Sequence, residues 1–321
     1  MEITFSRRKI SWQVGAFCVL GVGFIIILTS MPELAIEYMT RGLRICTSSV
    51  IPTLFPFMAV SELMVRSGCG ALLGKRLEAP MRTLFGVSGA GAVAVLLGAV
   101  CGFPIGASTA AGLYRRGEMT EDEATRVLCF CNYPSSAFMI SAVGASLWSD
   151  AGIGRTLYIC VLSAGAIWAL LHRRGGERVT PYCPRQTRIG AHVIGESITA
   201  AALSLLNVCA YIAFFSCVVG CLSRVFAVGG MGETAEALIY SFFELTSGAA
   251  SASLVRNRSL GFIMTAAAGA WSGLSVHLQV ISVCAAEGLR LPLRRYFAAK
   301  LGQSAIAAAL AAAVLFFARI F

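Results

Sequence analysis

The sequence predicts an all-α integral membrane protein with about seven transmembrane helices and two re-entrant hairpins, arranged as an inverted repeat of the kind found in transporters. The 321 residues are 57% hydrophobic and only 13% charged, and their mean hydropathy is +0.76. This composition leaves too little polar surface to cover a soluble globule. In addition, apolar stretches of spanning length recur along the chain, and breaks rich in Gly, Pro and small polar residues interrupt the pattern at matching positions in each half.

The apolar stretches set the number of crossings, because a membrane-spanning helix needs about 20 residues. The first stretch follows three basic residues, as in a signal peptide, but it is long and has no small-residue cleavage site after it. Residues 1–30 are therefore predicted to form a retained N-terminal transmembrane helix. The stretches are 11–29, 50–65, 127–147, 156–171, 198–222, 262–286 and 297–318.

Basic residues cluster in short segments at alternate ends of these stretches, so the net charge of +10 does not indicate nucleic-acid binding. With the N-terminus in the cytoplasm, 19 of the 26 Lys and Arg residues fall on the cytoplasmic side, Lys300 among them. The reverse orientation would invert this bias. We therefore expect a multi-pass protein of a bacterial cell membrane, with the N-terminus cytoplasmic and the C-terminus outside.

A basic segment rich in Gly and Pro, residues 172–189, is predicted to be a cytoplasmic linker between two repeats. The first repeat, 31–171, contains a re-entrant hairpin at 88–116, and the second, 190–321, contains one at 232–256. An odd number of crossings in each half would turn the second repeat upside down and bring the two hairpin tips together near the membrane midplane.

The spacing of the breaks supports the repeat. Gly106 and Gly248 are 142 positions apart, and Pro134 and Gly273 are 139 positions apart, so one offset fits both pairs within a few residues. Thr120, followed three residues later by Glu123, predicts a capping box that begins the helix after the first hairpin.

Glu244 lies well inside the second hairpin break, and an isolated carboxylate at membrane depth is costly and usually functional. It is our candidate ion-coupling residue, with H⁺ or Na⁺ as the coupling cation; no other cofactor and no bound metal are expected. The alternative is a carboxylate that caps a half-helix or pairs with a buried Arg. At the opposite tip, a helix restarting near Gly106 would present free N–H groups to an anionic or carbonyl-bearing solute, unless Pro104 only kinks a packed helix.

Polar interruptions at 132–136 and 271–279 complete the candidate substrate site. Their amide, hydroxyl and imidazole groups suit the hydrogen-bonding edge of a ring that stacks on an aromatic side chain. His277 alone is weak evidence, because a His in a membrane helix is more often an interhelical hydrogen-bond partner. The predicted substrate-binding residues are Phe103, Pro104, Gly106, Ser108, Asn132, Ser135, Glu244, Thr246, Ser247, Gly248, Ser272, Ser275, His277 and Gln279.

Motifs of soluble enzymes are missing from the sequence, which has no Walker loop, dinucleotide-binding glycine fingerprint, His-Glu-x-x-His or Gly-x-Ser-x-Gly. We therefore do not expect an enzyme. The tips also lack the Cys and His residues that a soft or borderline metal would need.

Four motifs resemble the membrane nucleoside-recognition (gate) domain family, and in particular its branch of sporulation integral membrane proteins. They are Gly102-Phe-Pro-Ile-Gly-Ala107, Leu128-Cys-Phe-Cys-Asn132, Glu244-Leu-Thr-Ser-Gly248, and Trp271-Ser-Gly-Leu-Ser-Val-His277 with Gln279. The resemblance implies a multi-pass membrane protein related to concentrative nucleoside transporters and to the channel part of ferrous-iron transporters. For the sporulation branch it implies a role in spore maturation, with transport of dipicolinic acid, a small aromatic dicarboxylate, across a forespore membrane.

The leading hypothesis is a secondary transporter or facilitator for a small polar solute, either a dipicolinate-like aromatic anion or a nucleoside-like molecule. The tip at 103–105 carries none of the acidic or amide residues that a nucleoside transporter would place there. The alternatives are a non-transporting scaffold for a sporulation complex and, with less support, a ferrous-iron channel. Expected partners are the solute and the lipid bilayer, without nucleic acid; a homo-oligomer and sporulation membrane partner proteins are left open.

Overall fold

A computed structural model describes residues 12–173 and 190–318, and every regular element within these ranges is helical. Among these residues, four helices are long and apolar enough to cross a membrane, and the number rises to six if each of two bent helix pairs is one span. The predicted class is therefore confirmed: the chain is an all-α integral membrane protein.

The N-terminal half contains short helices that are joined by sharp bends and three π-helical segments. The π-helical segments are Cys46–Val50, Met81–Phe85 and Phe138–Leu147. The α-helices are α1 (Trp12–Ser30), α2 (Pro32–Ile45), α3 (Ile51–Arg66), α4 (Cys69–Pro80), α5 (Gly89–Cys101), α6 (Ile105–Arg115), α7 (Glu121–Leu128) and α8 (Ala151–Leu171).

The C-terminal half begins with a helix of 39 residues and repeats the order of a helix pair, an interrupted helix and a final span. Its helices are α9 (Ala191–Gly229), α10 (Glu233–Phe243), α11 (Leu245–Ser253), α12 (Arg258–Trp271), α13 (Leu274–Ala286) and α14 (Leu293–Ala318). The inversion of the two halves stays a prediction, and the predicted linker lies, from residue 174 on, outside the described residues.

Fewer spans are continuous than the apolar stretches predicted, because helix breakers divide them. The stretch 127–147 begins in α7, leaves the helix at residues 131–135 and continues in the π-helical segment that starts at Phe138. The first turn of α2 begins at Pro32, whose ring lacks an N–H group, and the chain bends there by 102°. A second bend of 90° separates the segments 73–85 and 89–101.

The first hairpin is α5 and α6, which are flanked by Ser88 and Arg116, and its start is held by two carboxylates. The N–H groups of Ser88 and Gly89 donate to Glu123 and Glu78, each at 2.5 Å. Thr120 caps α7 as predicted, since its hydroxyl oxygen accepts from the N–H of Glu123 at 3.2 Å. The carboxylate of Glu123 binds Ser88 and so ties α7 to the hairpin.

Small residues let the spans of the two halves approach closely. The final spans α8 and α14 pack against each other and against α12. A Cβ atom added at Gly302 of α14 would overlap the ring of Trp168 in α8, and one at Gly165 would overlap the ring of Tyr133. Because lipid is as apolar as a Leu side chain, such close packing is a main source of helix association in membranes.

One charge assignment is wrong. The orientation argument placed Lys300 among the basic residues of the cytoplasmic ends, whereas the structure places it inside the α14 span with 1% of its surface exposed. The physical reason is a backbone carbonyl freed by the first helix break: the ammonium group of Lys300 donates to the carbonyl oxygen of Asn132 at 3.0 Å.

Candidate solute site

Two cavities lie along α3, α9 and α13, one of about 310 Å³ and the other of about 740 Å³. We call them the small cavity and the large cavity. On each of the three helices, one stretch lines the small cavity and a neighbouring stretch lines the large cavity. The pairs of lining residues, small cavity first, are Leu54 and Arg66 in α3, Ile212 and Glu196 in α9, and Gln279 and Ser282 in α13. The cavities are therefore stacked end to end.

The break between α5 and α6 lies between the two cavities. Phe103 lines the small cavity, whereas Pro104 and Ile105 line the large cavity. Ile105 belongs to a buried apolar cluster with Met58 of α3, and both residues line the large cavity. Leu54, which is partly buried and packs against this cluster, lines the small cavity. The cluster and residues 103–105 therefore lie where the two cavities adjoin, and we call them the barrier.

The small cavity gathers polar groups from both halves of the chain. Ser135 comes from the first half, and Thr246, Ser275 and Gln279 come from the second, while Phe103 supplies an aromatic wall. Gln279 is 2% exposed, and its Oε1 atom has no hydrogen-bond partner among the described residues. A buried polar group without a partner costs about 1–3 kcal/mol, so the cavity offers an acceptor that a ligand donor would satisfy.

Glu244 also lines the small cavity, but its carboxylate caps α11. Its two oxygen atoms accept hydrogen bonds from the N–H groups of Thr246 at 2.9 Å and Ser247 at 2.7 Å, and the residue is 4% exposed. The structure thus realises the capping alternative while leaving the carboxylate at the cavity wall. The partial positive charge of the α11 N-terminus offsets the negative charge of the buried carboxylate.

In each half, the hairpin break packs against the break of the following helix. In the first half, Gly102 has a φ of +84°, and an added Cβ atom would lie 2.6 Å from the backbone nitrogen of Ser135. In the second half, Gly273 has a φ of +85°, and an added Cβ atom would lie 3.0 Å from the Cα atom of Glu244. Both positions suit glycine because of the positive φ and the nearby backbone. Ser135 and Glu244 then cap the helical segments that follow them.

Other predicted site residues hold the breaks together and do not line the small cavity. Asn132 donates its amide to the carbonyl oxygen of Leu128 at 3.1 Å, and Ser272 donates its hydroxyl to that of Gly269 at 3.3 Å. Gly248 packs against Ser241, where an added Cβ atom would overlap the backbone. Ser247 contributes the N–H group that Glu244 binds.

The remaining predicted residues belong to other surroundings. Pro104 and Ser108 line the large cavity, and Gly106 packs against the carbonyl group of Cys131. His277 is fully buried, its Nδ1 atom lies 3.1 Å from the hydroxyl oxygen of Tyr296 on α14, and its ring lies against Trp271. The structure therefore makes His277 an interhelical partner and does not bring it to the small cavity.

Ion pairs surround the large cavity, and sequence reasoning missed them. Arg66 pairs with Glu196 at 3.2 Å and links α3 to α9, while Arg115 pairs with Glu287 at 2.9 Å and links α6 to the end of α13. The available signal was the concentration of Arg residues at the helix ends that the sequence assigned to the cytoplasm. Within the described residues, no group of three or more His, Cys, Asp or Glu side chains is placed to hold a metal ion.

The fold and the cavities define the class: an all-α, multi-pass membrane protein whose helix breaks line a mostly apolar cavity that holds a few polar side chains. The chain is similar to the sporulation integral membrane protein YlbJ of Bacillus subtilis (strain 168), with 25% identity over 87% of this chain and 77% of that protein. No protein-family model matches the chain, and no solved structure matches it. The similarity supports the sporulation membrane branch of the resemblance, whereas the nucleoside-recognition domain is not confirmed.

Proposed function

We propose that the protein is a secondary transporter or facilitator that moves a small polar solute across a bacterial membrane. The observation that carries this proposal is the end-to-end arrangement of the small and large cavities on α3, α9 and α13, with a thin barrier at residues 103–105. In transporters, helix breaks of this kind bind the solute, and a shift of one repeat against the other exposes the site to each side in turn.

The small cavity supports a compact, planar solute with hydrogen-bonding groups. Its volume of about 310 Å³ is at the lower end of the range of about 300–1,000 Å³ for ligand pockets. Phe103 and Phe138 provide faces on which a ring stacks, while Ser135, Ser275 and Gln279 provide polar contacts. A dipicolinate-like aromatic anion, whose carboxylates would accept hydrogen bonds from the amide NH₂ group of Gln279, is our first candidate. A nucleoside-like solute, which also carries donors for the Oε1 atom of Gln279, is the second.

An anionic group has a favourable position on the path beside the barrier. The first turn of α6 begins at Ile105, and this residue, Pro104 and Ser108 line the large cavity. The N–H groups at a helix N-terminus and the helix dipole attract negative charge. A carboxylate leaving the small cavity would meet this helix end, whereas the N-terminus of α11 is already occupied by Glu244.

Glu244 is the candidate coupling residue. Binding of H⁺ or Na⁺ to its carboxylate would compete with the hydrogen bonds to Thr246 and Ser247. Because those bonds fix the start of α11, their loss would loosen the second hairpin at the cavity wall. This competition offers a direct link between cation binding and movement of the hairpin.

The similarity to a sporulation integral membrane protein supports a role in spore maturation. The alternative function is a membrane scaffold in sporulation that does not transport. The internal hydrogen bonds of Glu244, Asn132 and Ser272 favour this alternative, because they satisfy polar groups of the breaks without any solute.

Uptake into proteoliposomes distinguishes the two functions. We expect saturable uptake of radiolabelled dipicolinate or of a nucleoside by the wild-type protein. The substitution Gln279→Leu should reduce this uptake at least about fivefold, because loss of one hydrogen bond at a buried site costs about 1–3 kcal/mol. Leu278→Ala is the matched control, since Leu278 is adjacent in α13 and 37% exposed. Absence of saturable uptake of either solute, or equal uptake by Gln279→Leu and wild type, would contradict transport through the small cavity.

A further inference from the structure

A row of polar side chains crosses the otherwise apolar helix α14. Gln303 and Ser304 follow Lys300 by three and four positions, so all three side chains lie on one face of the helix. Lys300 and Gln303 are each 1% exposed, and both lie inside the apolar span of residues 293–317. A charged side chain in such a position is costly and is usually retained for a function.

This row binds backbone carbonyl groups of both interrupted helices. Lys300 donates to the carbonyl oxygen of Asn132 at 3.0 Å, and Gln303 donates to that of Cys129. Ser304 donates to the carbonyl oxygen of Ala267 near the end of α12 at 2.9 Å. Helix α14 is therefore hydrogen-bonded both to the first break and to α12, the helix before the second break.

Four carbonyl groups at the end of α7 and in the first break accept hydrogen bonds from identified donors. The carbonyl oxygen of Leu128 accepts from the amide of Asn132, that of Cys129 from Gln303, that of Asn132 from Lys300, and that of Tyr133 from the N–H group of Phe103 at 2.9 Å. Freed carbonyl groups at membrane depth need such partners, because lipid provides none. Of these donors, only Lys300 carries a full positive charge.

The charge of Lys300 has no carboxylate to balance it among the described residues: no Asp or Glu lies within ion-pair distance of its ammonium group. The ammonium group instead donates to the carbonyl oxygen of Asn132, in the unwound segment that follows the C-terminal end of α7. The side-chain Oδ1 atom of Asn132 is also buried there without a partner among the described residues. Unwound carbonyl groups beside a helix C-terminus are the ligands with which broken membrane helices bind Na⁺.

We propose that Lys300 acts as a tethered cation at the first break, occupying with its ammonium group the position that a free monovalent cation would otherwise take. The break between α7 and the π-helical segment at Phe138–Leu147 is then complete without Na⁺. The inference stands on the geometry of α14 alone. What it implies for coupling rests on the function proposed above. If Lys300 occupies the cation position at the first break, Na⁺ does not bind there, and the coupling cation binds at the second break, at Glu244.

Thermal unfolding of the purified full chain in detergent tests the proposal. The sodium comparison is made with Glu244→Gln, which lacks the carboxylate proposed to bind the coupling cation at the second break. We expect its melting temperature to be the same in sodium chloride and in choline chloride at equal ionic strength. Lys300→Ala should melt several degrees below wild type, and n-propylammonium should restore part of the loss in a saturable manner. Propanol, which fills the same space without charge, should not restore it. Lys75→Ala is the control, since Lys75 is exposed on α4 and the amine should have no effect there.

Lys300→Met separates charge from volume, because Met keeps most of the side-chain length and places no charge at the break. We expect Lys300→Met to melt below wild type and to be insensitive to the amine. A saturable stabilisation of Glu244→Gln by Na⁺ over choline would overturn the proposal, as would Lys300→Met with the stability of wild type or equal rescue of Lys300→Ala by propanol. If Lys300→Ala does not fold, the sodium comparison with Glu244→Gln and the stability of Lys300→Met still decide. The readout is stability, so failure of solute uptake would leave it unaffected.

Discussion

Replacing Gly106 by Ala tests the close contact between the first hairpin and the first helix break. Gly106 is in the first turn of α6, next to Gly98 of α5 and the carbonyl group of Cys131. An added Cβ atom would overlap the carbonyl oxygen of Cys131 and would lie 3.1 Å from its carbonyl carbon and from the Cα atom of Gly98. All of these neighbours are backbone atoms, so a side-chain rotation cannot relieve the overlap.

The expected cost follows from this geometry. Overpacking of a well-packed site costs about 1–3 kcal/mol, and a backbone neighbour places Gly106→Ala at the upper part of that range. Ala is preferred over Gly within a helix by about 0.5–1 kcal/mol, which offsets only part of the cost. Gly112→Ala is the matched control in the same helix, because its nearest neighbour would be the Arg116 side chain at 3.8 Å.

Thermal unfolding in one detergent measures both variants. We expect Gly112→Ala to be neutral or slightly stabilised and Gly106→Ala to be less stable than it by about 2 kcal/mol. At about 2–4 °C per kcal/mol for chains of 150–250 residues, the melting temperatures should differ by about 4 °C or more. Equal melting temperatures, with unchanged yield of both variants, would refute the claim that the hairpin tip is packed against the break.

Two further substitutions test the charged residues near the cavities. Glu244→Gln keeps one amide oxygen for the N–H groups of Thr246 and Ser247, so it should lose one charge-assisted hydrogen bond and about 1.5–3 kcal/mol of stability. We also expect the variant to lose solute uptake. If its uptake and melting temperature equal those of wild type, the carboxylate has no coupling role. Arg115→Gln breaks the ion pair with Glu287. Because the Arg115 side chain is 65% exposed, we expect the free energy of unfolding, measured by thermal unfolding, to fall by at most about 1 kcal/mol. A larger decrease would show that this pair is more than a surface salt bridge.

The positions of the helix breaks were predictable from the sequence because such breaks have local causes. Gly and Pro residues at 102–106 end one helix and begin the next, and the helix pair α5 and α6 is flanked by Ser88 and Arg116. That this pair forms a re-entrant hairpin in the membrane stays a prediction. The second hairpin is likewise capped by Gly232 at its start. The inverted relation of the halves, in contrast, remains a prediction.

The orientation of individual side chains was not predictable, because it depends on the rotation of a helix about its axis. His277 and Gln279 are two positions apart in α13, which turns them about 200° relative to each other. The structure accordingly packs His277 against α14 and places Gln279 at the small cavity. Lys300 was assigned to a membrane surface for a similar reason: its carbonyl partner, at Asn132, is 168 residues away in the chain.

Ligand-dependent thermal stabilisation of the detergent-purified protein tests the central claim, a solute site at the small cavity, most directly. The panel contains dipicolinate, nucleosides and ferrous iron, measured with wild type, Gln279→Leu and Leu278→Ala. We expect one organic class to stabilise wild type and Leu278→Ala in a saturable manner, by about 2.7 kcal/mol at a hundredfold excess over its dissociation constant. At the same ligand concentration Gln279→Leu should be stabilised clearly less, because its affinity is lower by the cost of one hydrogen bond. An equal shift in Gln279→Leu and wild type, or no shift with any member of the panel, would contradict a solute site in this cavity.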